Sequence, residues 1–154
     1  MEKTAKGGLT PQARAEKSAE AMWSTDDASK WMGFSIDAVG PGTATLSMTV
    51  EGHHTNGHDI CHGGVIFSLA DSAFAFACNS YNRVAVAQHN TISFIAPGRR
   101  GDRLTATARE ISLRGRSGIY DVTVTNTLGE TVAAFRGCSR IIQGQNFPEE
   151  EGEQ

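Results

Sequence analysis

From Thr43 to Val50 the chain alternates strictly. Ala44, Leu46, Met48 and Val50 fall on one side, and Thr43, Thr45, Ser47 and Thr49 on the other. A period of two marks a half-buried strand. Four more strand-like runs follow, at 84–96, 103–113, 119–126 and 130–142. Pro97-Gly98, Gly115-Arg116-Ser117-Gly118 and Thr127-Leu128-Gly129 punctuate them. The last two breaks are short enough for hairpins, so the sheet is expected to be antiparallel there. Between the first strand and these four lies a segment with no such alternation. From Gly63 to Cys78 it carries Val65, Ile66, Phe67, Leu69, Ala70, Ala73, Phe74, Phe76 and Cys78, leaving no wide polar face. Leu and Ala favour a helix, no Pro interrupts, and such a helix is expected to be buried all round.

Punctuation organises the rest. Residues 1–9 are expected to form a flexible tail. Thr10-Pro11 is a helix start, a capping hydroxyl followed by Pro at the first helical position. That helix runs to Trp23. Ser24-Thr25-Asp26-Asp27 opens a second, short helix through Trp31 that stops at Gly33. Val39-Gly40-Pro41-Gly42 is a turn, and Asn79 to Arg83 a polar break. From Gln143 the chain is polar and ends in acids, so 143–154 is expected to be a disordered tail. The order predicts one α+β domain over 10–142: short helices, one or two strands, one long apolar helix, then four strands around it. A domain of this size struggles to cover such a helix on every side, so a second copy is expected to cover the remainder.

The apolar helix holds one full charge, Asp71. Asp is a poor helix former and is rarely buried without a partner. Read as ordinary structure, it would sit on a narrow exposed strip with Ser68 and Ser72. Phe67 and Phe74 share its face, however. A carboxylate among such side chains has its pKa pushed up by desolvation, as a general base needs. The helix opens on Gly63-Gly64. Its first amides lack internal acceptors and carry the positive end of the dipole, and glycines let a ligand oxygen approach.

Composition narrows the field. A formal charge of −3 gives no case for a nucleic-acid partner. Arginines nevertheless gather late: Arg99, Arg100, Arg103, Arg109, Arg114, Arg116, Arg136 and Arg140 fall within 99–140, against four acids. Arg binds phosphate bidentately, so a phosphate-bearing small molecule is one reading and solvated sheet edges the other. Cys61, Cys78 and Cys138 are irregularly spaced. Reduced thiols and a cytoplasmic setting are expected. No segment reads as a signal peptide or a membrane span, and no internal repeat is visible.

A sheet wrapped around one helix resembles the hotdog fold. The run Asn56-Gly57-His58-Asp59-Ile60-Cys61-His62-Gly63-Gly64, followed by Phe67-Ser68-Leu69-Ala70-Asp71, resembles the acyl-CoA thioesterases of that fold, above all the type found in bacterial phenylacetate degradation. The resemblance implies that Asp71 acts on the thioester as base or nucleophile. It implies that the Gly63 N–H, beside Gly64, holds the thioester oxygen, that Asn56 positions water or substrate, and that His62 supports the site. It places Arg114-Gly115-Arg116 at the coenzyme A phosphates, with Arg136 and Arg140 nearby. The implied substrate is phenylacetyl-CoA or a ring-hydroxylated relative, with no cofactor, and the implied assembly is a tetramer built from dimers.

The chemistry stands without the family. Hydrolysis builds charge on a carbonyl oxygen, which an orphan amide stabilises, and water must lose a proton to a carboxylate. Along a helix, Asp71 stands ~10–12 Å beyond the glycines, too far to share one thioester. Two antiparallel helices about a two-fold axis would bring the glycines of one to Asp71 of the other. Other readings are weaker. His54, His58 and His62 recur every fourth residue, but Thr55-Asn56-Gly57 is loop sequence, so the spacing loses its zinc meaning. His53, His54 and His89 read as plain polar residues. Cys61 or Cys138 has no fixed His–Asp arrangement to make it a nucleophile, and no G-x-S-x-G elbow exists. A non-catalytic acyl-CoA-binding module gains nothing from a lone buried Asp, and a hydratase lacks its His-containing motifs here.

Overall fold

The computed structural model of the chain describes residues 7–150. Helix α1 spans Pro11–Trp23, with Thr10 as its cap accepting from the Ala13 N–H at 3.1 Å. Helix α2 spans Asp27–Trp31, capped by Asp26, whose Oδ1 accepts from the Ser29 N–H at 3.0 Å. Strands β1 (Ser35–Gly40) and β2 (Thr43–Thr49) form a hairpin. Helix α3 spans Gly63–Cys78. Strands β3 (Ala85–Phe94), β4 (Arg103–Arg114), β5 (Ser117–Thr125) and β6 (Thr131–Ile141) follow.

All six strands make one antiparallel sheet in the order β1-β2-β4-β5-β6-β3. The chain leaves β2, runs through α3, pairs β3 with β6 at one edge, and returns to β4 in the middle. Alternation sets the inner face: Leu46, Met48, Leu104, Ala106, Tyr120, Val122 and Val124 are buried against α3. Fully burying a large side chain of this kind stabilises the fold by about 1.5–3 kcal/mol. Gly137 in β6 shows how tight the contact is. A Cβ there would come within 2.8 Å of the Phe74 ring, so only glycine lets that ring lie against the strand.

Two expectations are corrected. Helix α3 is not buried on every side of the single chain. Ile66, Leu69, Ala70, Ala73, Phe74, Phe76 and Ala77 face the core, but Ser68, Asp71, Ser72 and Ala75 form a half-buried strip beyond the reach of one sheet. The first eight residues of the segment 143–154 are not a free tail. Phe147 is buried, Asn82 Nδ2 donates to its carbonyl at 3.0 Å, and Arg14 pairs with Glu149 at 2.8 Å. One aromatic anchor and an ion pair hold an otherwise polar segment. Residues 151–154 lie outside the described residues, as do 1–6 of the expected N-terminal tail. No helix among the described residues is long and apolar enough to cross a membrane.

Candidate active site

The start of α3 is built by the loop before it. His54, buried, uses both ring nitrogens: Nδ1 accepts from the Glu51 N–H at 3.0 Å, and Nε2 lies 2.8 Å from the Met32 carbonyl. Its own carbonyl accepts from the His62 N–H at 2.8 Å. His54 is thus a clamp rather than a loose polar residue. His62 caps α3, and its Nδ1 accepts from the Gly64 N–H at 2.8 Å. Gly64, expected to share an anion site, therefore has its amide taken. The Gly63 N–H finds no acceptor among the described residues and is the donor left at the positive end of the helix. The Phe94 ring lies so close to Gly63 that a Cβ there would meet Phe94 Cζ at 3.0 Å.

Asn56 stands opposite. Its Oδ1 staples the loop, accepting from the His58 N–H at 3.0 Å and the Ile60 N–H at 3.5 Å. Its Nδ2 has no acceptor among the described residues. Asn56, Gly63, Ile66 and Phe94 line one cavity of about 430 Å³. Cys61 lines it too, but burial pushes its thiol up to about 11, the wrong direction for a nucleophile.

Asp71 lies in a second cavity, of about 330 Å³, with Met22, Phe74, Ala75, Cys78, Val84 and Asn146 among its walls. Burial pushes its carboxyl above the usual carboxylate range, and a hydrogen bond from Asn90 partly opposes that. Asn90 Nδ2 donates to Asp71 Oδ1 at 3.1 Å, while Asn90 Oδ1 is enclosed and finds no partner among the described residues. Reversing the amide would set two acceptors face to face, so the donation fixes its orientation. Leaving that oxygen unpaired costs about 1–3 kcal/mol, and the orientation it serves favours the ionised carboxylate. Sequence reasoning missed Asn90. The signal was a polar residue on the inward face of β3, at period two with Ile92 and Phe94.

Within one chain, Gly63 and Asp71 open into different cavities and stand ~12 Å apart along α3. The structure does not bring them together in a single copy. The arginines divide as well. Arg114, Gly115 and Arg116 form the exposed tip of the β4–β5 hairpin, with Gly115 at φ 61°. Arg140 lies beside it, its Nη1 3.4 Å from Ser117 Oγ. Arg136 is committed elsewhere: Nε and Nη2 bind Asp121 at 2.7 and 3.0 Å on the outer face of the sheet.

A free helix-start amide and a half-buried carboxylate are the parts of an acyl-transfer site: a donor for a developing oxyanion and a proton acceptor. A family profile described as Thioesterase superfamily matches residues 58–133. The acyl-coenzyme A thioesterase PaaI of Escherichia coli is 46% identical over 131 residues, covering 85% of this chain and 94% of that protein. The structure of the E. coli PaaI protein, from the phenylacetic acid degradation operon, superposes with a TM-score of 0.87 at 44% identity. It covers 88% of this chain and 99% of that one. A Streptococcus mutans protein solved with acetyl CoA bound is 26% identical with a TM-score of 0.70, over 73% of this chain and 90% of that one. The chain belongs to the thioesterase superfamily. Its fold is the hotdog fold, and it is a thioester hydrolase.

Proposed function

We propose that the chain hydrolyses an acyl-CoA thioester, phenylacetyl-CoA or a ring-hydroxylated relative, to the free acid and coenzyme A. The observation that carries this reading is Asp71: a half-buried carboxylate held by one amide in the lining of a mostly apolar cavity, on a helix whose first free amide is Gly63. The Gly63 N–H receives the thioester oxygen, and Asn56 Nδ2 lies on the same cavity wall to orient substrate or water. His62 contributes by capping the helix rather than by touching the thioester. Water adds to the carbonyl carbon as Asp71 takes its proton. The C–S bond then breaks and the thiolate leaves. As a nucleophile instead, Asp71 would displace the thiolate to form a mixed anhydride, which water then opens at the Asp71 carbonyl carbon. The exposed Arg114-Gly115-Arg116 tip supplies cations for the nucleotide phosphates, with Arg140 beside it.

We further propose that each site is shared by two copies. The ~12 Å between Gly63 and Asp71 supports this. So does β3, one of the two edge strands, where Phe94 at its end is 55% and the following Ile95 59% exposed. Pairing β3 with its two-fold mate would set the α3 helices antiparallel and cover the half-buried strip. A tetramer by pairing of such dimers rests on the family resemblance.

The test is a panel of acyl-CoA thioesters, phenylacetyl-CoA included, assayed with purified protein for free thiol. Thiol release on the arylacetyl members is expected. Binding without release would make the protein an acyl-CoA-binding module instead. A single turnover in 18O-water separates the two routes. Direct attack by water labels the product acid, whereas attack by Asp71 labels the protein first.

A further inference from the structure

We propose that His54 is a positioning residue for the thioester reaction: as the neutral imidazole protonated at Nε2, it holds the loop that presents the Gly63 N–H. This rests on the acyl-CoA hydrolase reading above. His54 is a buried imidazole with no part in the hydrolysis steps themselves.

Both of its ring partners are backbone groups, and neither can reverse its polarity. Glu51 offers an N–H to Nδ1 at 3.0 Å, so Nδ1 must present a lone pair. Met32 offers a carbonyl oxygen at 2.8 Å, so Nε2 must carry the hydrogen. Of the forms open to an imidazole, only the Nε2–H tautomer satisfies both at once. The cation would set two N–H groups against each other at Nδ1.

The path from this ring to Gly63 is short. The His54 carbonyl accepts from the His62 N–H at 2.8 Å. Thr55 pairs with Cys61, and the Asn56 N–H donates to the Ile60 carbonyl at 2.9 Å. Residues 54–62 thus close on themselves, with His54 on one side and His62, the cap of α3, on the other. Gly63 is the next residue. Two bonds fix where this closed unit sits. On one side the Cys61 N–H donates to the Gly98 carbonyl at 2.7 Å. On the other, His54 Nε2 reaches the carbonyl of Met32, the C-cap of α2. Helix α2 is in turn tied to α3. Ser29 Oγ donates to Asp26 Oδ2 at 2.7 Å, so its 3.0 Å contact with Ser72 Oγ is a hydrogen bond given by Ser72. Ser72 adjoins Asp71. The His54 ring therefore references the oxyanion donor, through α2, to the helix that carries the carboxylate.

An oxyanion donor works within ~2.7–3.1 Å of the developing charge. A displacement of about 1 Å can cost on the order of 10²-fold in rate. Loosening this anchor should therefore show in turnover rather than in binding, which the acyl and nucleotide groups supply.

The experiment replaces the ring by side chains that keep one bond each. His54→Gln places an amide N–H toward the Met32 carbonyl and gives up the Glu51 N–H. His54→Asn places an acceptor near the Glu51 N–H and cannot reach Met32. His54→Leu keeps neither. Thiol release from phenylacetyl-CoA is measured on the full chain. His54→Leu should lose at least ~tenfold in kcat with KM within about twofold. His54→Gln should regain most of that loss, and His54→Asn little of it. A folded His54→Leu with unchanged kcat overturns the proposal. So does equal recovery by the two amides, or a KM that rises in step with the fall in kcat. In the unmutated protein, 15N NMR of the imidazoles should show His54 as the Nε2–H tautomer at the pH of the assay. The Nδ1–H tautomer or the cation overturns the proposal even where the variants do not fold. If the unmutated protein releases thiol from no acyl-CoA, the hydrolase reading fails and the proposal with it, whereas an active protein indifferent to His54 overturns the proposal alone.

Discussion

Asp71 concentrates the residue-scale argument. Burial raises its pKa from 3.8, so the folded chain holds this proton to higher pH than the unfolded chain does. Folding is then favoured least where the carboxyl is ionised: the stability it costs is absent below pH 3.8 and grows as pH rises through the folded value. Asp71→Asn keeps the shape and removes the charge. It should raise the Tm at pH 7, with the gain shrinking toward zero near pH 3.8, as thermal melts across pH would show. The same variant should lose at least ~100-fold in turnover, the low end for a general base. A more stable protein with near-normal turnover would remove Asp71 from the chemistry. Asn90→Ala tests the orienting amide. Without its N–H the carboxylate loses a partner, so the acid limb of the kcat/KM profile should move to higher pH, with roughly tenfold lost at neutral pH. A drop with no movement of the limb would mean Asn90 only packs. Asp71 was legible because a charge in an apolar run needs a reason. Asn90 was not, because its partner is set by how β3 crosses α3, which no local pattern encodes.

Elements show a similar division. Strands β2 to β6 and helix α3 could be read from period and punctuation, since burial of one face writes itself directly into the chain. The segment 143–150 could not. Its polar composition resembles a solvated tail, and the groups that fix it, Asn82 and Arg14, are 65 and 135 residues away from their partners Phe147 and Glu149. The arginines mislead for a related reason. Arg136 sits directly opposite Asp121 in the β5–β6 register, and the two charges satisfy each other. Among the described residues the β4–β5 hairpin tip has no such facing acid. Arg114→Ala and Arg116→Ala should each raise KM for coenzyme A thioesters roughly fivefold with kcat little affected, since a phosphate contact remote from the reacting carbon is equally strong in ground and transition states. A short thioester lacking the nucleotide should be nearly indifferent. Equal losses on both kinds of substrate would take these residues out of the phosphate site.

At the scale of the whole molecule, the proposed shared site makes a prediction that no single chain could satisfy. The Gly63 N–H and the Asp71 carboxylate must both lie within ~3 Å of one reacting group, yet a continuous helix holds them ~12 Å apart. Two inactive variants separate the halves. Asp71→Asn keeps the oxyanion donor and loses the base. Gly63→Val keeps the base and covers the donor, because even a Cβ at that position presses on Phe94 at 3.0 Å. Refolded separately, each should be inactive. Refolded together at equal amounts, random pairing makes half the dimers mixed. Each mixed dimer has one site carrying both defects and one carrying neither, so activity should return toward a quarter of the unmutated level. Sites confined to single chains cannot be repaired by mixing, since every chain carries a defect. If the refolded mixture stays inactive while both variants fold and exchange subunits, the glycines and the carboxylate do not meet across a two-fold axis.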